Sequence, residues 1–149
     1  MYKHHMLELA REILKILEEE ARSTVAAGWA EVRVEEGDLG PTLHLEPMKL
    51  AAAPLEMYFD SEELVVCTVG RNGMVIEFLS EDAEVIKRRV RTLVVALLAG
   101  DYCERMRGRS GEAVAEWPGP DGPEEAKRSG LGNPLAPPRG WHTISYEPY

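Results

Sequence analysis

The sequence predicts an α+β fold: an N-terminal helix, a meandering, mostly antiparallel sheet of about five strands, a second helix packed across it, a further short strand pair and a Pro/Gly-rich C-terminal arm. Three observations carry that expectation. Apolar residues recur at helical spacing near the N-terminus and again after residue 82. The segments between alternate apolar and polar residues with period two, and from residue 118 onward prolines and glycines are too dense for a helix or a central strand.

In the first helix, Met6, Leu7, Leu9, Ala10, Ile13, Leu14, Ile16, Leu17 and Ala21 make one wide apolar face, with Glu8, Glu12, Lys15, Glu18 and Glu19 outside it. "GWAEVRVEEGD" then sets Ala30, Val32 and Val34 against Glu31, Arg33 and Glu35, and "TLHLEP" sets Leu43 and Leu45 against His44. "PLEMYFD" continues with Leu55, Met57 and Phe59 on one side. In "LVVCTVGRNGMVIEF", Asn72-Gly73 is the favoured centre of a type I′ turn. A two-residue loop there sets Cys67 against Phe78. A four-residue "GRNG" loop sets Cys67 against Ile76, and both registers keep Cys67 on the apolar face.

Ser80 is a candidate N-cap for the second helix, followed by Glu81, Asp82 and Glu84 at the positive end of its dipole, and Gly100 supplies the stop. "DYCERMR" and "EAVAEW" read as the further strand pair. Residues 1–117 thus form one α+β domain, and residues 118–149 form the arm, with a docking strand expected at 141–147 through Trp141, Ile144 and Tyr146.

A net charge of −9 and a pI near 5.0 argue against nucleic acid and anionic membranes as partners. The longest apolar run, "TLVVALLAG", is too short to span a bilayer, and the charged first helix does not read as a signal peptide. A soluble cytoplasmic protein with its two cysteines as thiols is expected. Cys67, flanked by valines, reads as a core residue rather than a nucleophile. Cys103 has Arg105 and Arg107 close in sequence, which would lower its pKa.

No metal or cofactor is implied, because His44, His142 and the other two histidines lack ligand spacing and no phosphate-binding glycine motif sits between a strand and a helix. Lys87, Arg88, Arg89 and Arg91, joined by Arg105 and Arg107, form a candidate basic patch for a partner; the competing reading is a solvated helix face balanced by nearby carboxylates. His44, Cys103 and His142 are candidates for a pocket between the sheet and the second helix. Over residues 6–117 the element order resembles that of small acidic secretion chaperones and some bacterial immunity proteins, and no functional residue is carried over from either. The expected function is a non-catalytic protein-binding module, an adaptor, chaperone-like or immunity-type protein that binds another protein or itself as a homodimer. The alternative is a small-molecule-binding domain or cryptic hydrolase.

Overall fold

The computed structural model describes residues 2–24, 30–37, 40–61, 64–108, 110–129, 135 and 141–149. Helix α1 (Tyr2–Thr24) leads into β1 (Ala30–Gly37), β2 (Gly40–Pro47), β3 (Leu55–Ser61), β4 (Leu64–Val69) and β5 (Met74–Leu79). These five strands make an antiparallel sheet in chain order, as connections too short for a crossover require. Helix α2 (Ala83–Ala99) follows, then β6 (Cys103–Arg107), β7 (Glu112–Gly119), β8 (Gly122–Ser129) and β9 (Trp141–Ser145), which form a second antiparallel sheet ordered β8-β7-β6-β9. The arrangement is the mixed α+β fold that the periodicities predict. Among the described residues, no helix is long and apolar enough to cross a membrane.

One face of the first sheet is the core. Leu43, Leu45, Met57, Phe59, Cys67, Ile76 and Phe78 project there and are buried. Leu9, Ala10, Ile13 and Leu17 of α1 and Ile86, Val90, Leu93, Val94 and Leu97 of α2 meet them. Spacing explains the fit: period two sends alternate strand residues to one side, and steps of three and four do the same on a helix. Each leucine, isoleucine, valine, methionine or phenylalanine among them contributes about 1.5–3 kcal/mol when fully buried. Cys67 sits wholly inside this layer, and burial pushes its thiol far above the ordinary range.

The turn after β4 uses the four-residue loop. Val69 pairs with Met74 and Cys67 with Ile76, with Gly70 at φ +74° and Gly73 at φ +64°. No described residue other than glycine has a positive φ, so Asn72 does not adopt the conformation a type I′ centre needs. The start of α2 also differs from expectation. Asp82 is the N-cap and accepts from Glu84 N, while Ser80 Oγ accepts from Asp82 N two residues upstream. Gly100 ends the helix at φ +76°, and Asp101 N closes onto Ala96 O at 2.8 Å.

The expected strand pair, β6 and β7, is extended on both sides. Part of the Pro/Gly-rich region, residues 122–129, forms β8, and this tolerates Pro123 because β8 is an edge strand with Pro123 beside its hairpin. On the other side β9 pairs with β6, setting Trp141 opposite Arg107 and Ile144 opposite Glu104. Beyond β9 the chain turns back over the body. Glu147 N donates to Ala51 O, Tyr149 N to Leu98 O and the Tyr149 hydroxyl to Ala53 O, leaving both Tyr146 and Tyr149 buried.

Candidate functional site

Glu104 is the only buried charged residue among those described, 1% exposed on the core side of β6. Tyr146 donates its hydroxyl to Glu104 Oε2 at 2.6 Å and accepts from Arg71 N at 3.1 Å. Arg128, on β8, donates to the carbonyls of Asn72 and Gly73, each at 3.1 Å. Three parts of the chain therefore meet at the β4–β5 turn. Burial pushes the Glu104 carboxyl above the usual range while the Tyr146 hydroxyl pulls it back, and burial, followed by Glu104, raises Tyr146 to about 12. The cluster fastens the two sheets together and belongs to the scaffold. Sequence reading missed it, although a glutamate in the apolar slot of "YCERM", between Tyr102 and Met106, was the available signal.

The expected basic patch is divided and largely matched by carboxylates. Lys87 bridges Glu12 at 2.8 Å and Glu84, and these partners, in that order, raise its pKa. Arg89 reaches Glu124 at 2.9 Å and stacks over Phe78; Arg91 reaches Glu20 at 2.7 Å; Arg88 lies 3.9 Å from Asp121. Arg105 and Arg107 project from the other face of the second sheet, where both guanidinium groups lie over Trp141 and Arg105 also pairs with Glu116. The split follows from β6 alternation: Glu104 and Met106 face the core with Ala113, Ala115 and Trp117, so Cys103, Arg105 and Arg107 face away.

The candidate pocket residues occupy separate surfaces. His44 lies on the first sheet beside Arg33 and Glu56, Cys103 on the outward face of β6, and His142 on β9 opposite Met106. Since 103 and 106 differ in parity, Cys103 and His142 point to opposite faces of the second sheet. Burial and the Glu116 charge raise the Cys103 thiol against the lowering effect of Arg105, which reverses the expectation drawn from its arginine neighbours. Between the first sheet and α2 the space is filled by the α2 residues of the core. Concave surfaces lie elsewhere: a groove of about 710 Å³ between α1 and α2, lined by Glu12, Lys15, Glu19, Lys87 and Arg88 among others, and crevices of about 420 and 330 Å³ along β8. None of the three is lined by His44, Cys103 or His142. Among the described residues, no group of three His, Cys, Asp or Glu side chains could hold a metal ion.

A further surface is the face of the first sheet turned away from both helices. Its residues are fixed by register: Arg33, His44, Glu56, Thr68 and Val75 form one row across the strands, and Glu35, Thr42, Tyr58, Val66 and Glu77 form the next. Leu64 and Leu79 pair beyond them. The face is divided by chemistry. On β1 and β2, Arg33 pairs with Glu46 at 2.8 Å and with Glu35 at 3.3 Å, and His44 stands 3.4 Å from Glu35 and 3.8 Å from Glu56. On β3 to β5, Tyr58 is 41%, Val75 43% and Leu79 67% exposed, with Val66 nearly buried between Tyr58 and Glu77.

Comparison of the chain with known protein families, with characterised proteins and with solved structures gives no match.

Proposed function

We propose that this chain is a non-catalytic protein-binding module, of the adaptor or chaperone type, whose binding surface is the open face of the five-stranded sheet. The observation that carries the reading is the exposed apolar half of that face, Tyr58 on β3 and Val75 and Leu79 on β5, on either side of the buried Val66 of β4. An antiparallel sheet with one face on the core normally turns polar residues to water on the other, and contiguous exposed apolar surface marks a place where another macromolecule sits.

The other candidate surfaces are engaged within the molecule. Leu9, Ala10, Ile13 and Leu17 of α1 are buried in the chain's own core, which favours the sheet face over that helix as the contact surface. The cations of α2 sit beside carboxylates of α1 and of the β7–β8 region. Tyr146 and Tyr149 of the C-terminal segment are buried against the body, while Trp141 lies under Arg105 and Arg107. A catalytic reading has less support, since its candidate groups lie on separate surfaces. The acidity of the chain disfavours nucleic acid as the partner, and two cysteines on different sheets suit the reducing cytoplasm.

The test is a Tyr58→Ser/Leu79→Ser variant compared with the wild type in extracts of the native cells. The wild type should migrate in a complex larger than its own 16.6 kDa, and the variant should melt normally yet migrate alone. A variant that keeps the same complex would refute the proposed surface.

A further inference from the structure

We infer that the occupant of this face is a basic amphipathic helix of a partner protein, a conclusion that rests on the binding-module reading above. Two features select it. The first is charge. Glu31, Glu35, Glu46, Glu56 and Glu77 stand on the open face against the cation Arg33 and the imidazole of His44 on its own strands, while at the β5 edge Lys127, Arg128 and Glu125 of β8 and Arg89 of α2 line a crevice with Val75 and Glu77. Arg33 is already held between Glu35 and Glu46. Glu56 and Glu77 flank Tyr58 and Val66, so acidic groups border the apolar strip as well as the polar half.

A second copy of the chain would fit this surface poorly. A two-fold contact brings the same patch from both subunits together and sets one glutamate-rich face against another, and like charges brought together out of water repel. A cationic partner turns the same carboxylates into attraction and steers the encounter.

The second feature is width. The apolar strip runs across β3, β4 and β5, two strand spacings of about 4.8 Å each, so it is roughly 10 Å across. That is about the diameter of one α-helix with its side chains. An apolar helical stripe can lie on Tyr58, Val75 and Leu79 over the buried Val66, while lysines or arginines beside it reach Glu56 next to Tyr58 on β3 and Glu77 between Val75 and Leu79 on β5. Helix-in-groove recognition of this kind anchors through residues spaced three and four apart.

The test titrates the isotope-labelled full chain with three synthetic peptides by nuclear magnetic resonance. One forms a helix with leucines on a stripe and lysines elsewhere, one carries glutamates in place of the lysines, and one has the lysine peptide's composition in scrambled order. The lysine peptide should shift the amides of Tyr58, Val66, Thr68, Val75 and Glu77, and the scrambled peptide should bind at least about tenfold more weakly. Glu56→Lys/Glu77→Lys should weaken the lysine peptide by a similar factor, with unchanged melting. Equal binding of the glutamate peptide at this face would overturn the inference and leave the binding-module reading standing. Peptides that bind only at the α1–α2 groove, or nowhere, would overturn both.

Discussion

Replacing Gly70 with alanine probes the joint between the two sheets. Gly70 has φ +74°, and a Cβ there would collide with the Tyr146 hydroxyl and stand 2.6 Å from Glu104 Oε2. The backbone conformation alone costs an alanine about 1–2 kcal/mol. Displacing the Tyr146 hydroxyl also takes a hydrogen bond from a buried carboxylate, which costs about 1.5–3 kcal/mol more. The total is roughly 2.5–5 kcal/mol, and at 2–4 °C per kcal/mol for a chain of this size the midpoint should fall by about 10 °C. Gly73→Ala supplies the control, because it has nearly the same φ, +64°, and its Cβ would meet only Thr68 Cγ2 at 3.8 Å. It should show the backbone part alone, about 1–2 kcal/mol. Urea unfolding followed by circular dichroism measures both. Equal destabilisation of the two variants would refute the contact between turn, Glu104 and Tyr146 as a source of stability.

Two further outcomes follow from the same cluster. Burial holds the folded Glu104 pKa above its unfolded value, so the protonated form favours folding; that stability is full below the unfolded value and is lost as pH rises through the folded one. Glu104→Gln does not titrate, so the melting temperature of the wild type relative to this variant should fall as pH rises above the ordinary glutamate range, and a difference independent of pH would contradict the burial argument. Deleting Tyr146–Tyr149 removes two buried aromatic rings and the carboxylate's phenol partner, and should destabilise by at least about 3–5 kcal/mol in calorimetry, the usual cost of losing one large core side chain. A truncated chain that melts like the full one would show that the C-terminal segment does not fasten the fold.

The helices and most of the first five strands were legible because each buries one side and therefore carries a period in its residues, β4 being apolar on both sides. The details that escaped were decided by distant parts of the chain. The Asn72-Gly73 signal favoured a two-residue turn, yet Arg128 holds both of their carbonyls and Gly70 makes room for Tyr146, contacts that no local pattern encodes. Ser80 and Asp82 are both good N-caps two residues apart, and propensity does not choose between them. Strand β8, "GPEEAKRS", has only Ala126 as an apolar side chain on its inward side, so it carries no alternation to read. The basic residues looked continuous because 87–91 and 105–107 are near in sequence; a strand's alternation and the placement of α2 separate them. The open face had a signal in plain view. "LVVCTV" is apolar on both parities, which means a strand with a second apolar side as well as a core side.

The most direct measurement of the central claim uses two positions matched in exposure. Tyr58 on the open face and Val95 on α2 are each 41% exposed. A photo-crosslinking amino acid placed at either position in the full chain, in its native cells, samples its surroundings equally well apart from what is bound there. The account predicts a discrete cross-linked protein from position 58 and none from position 95, with the position 58 product lost when Glu56 and Glu77 are changed to lysine. Cross-linking from position 95 alone, or from both positions alike, would contradict it.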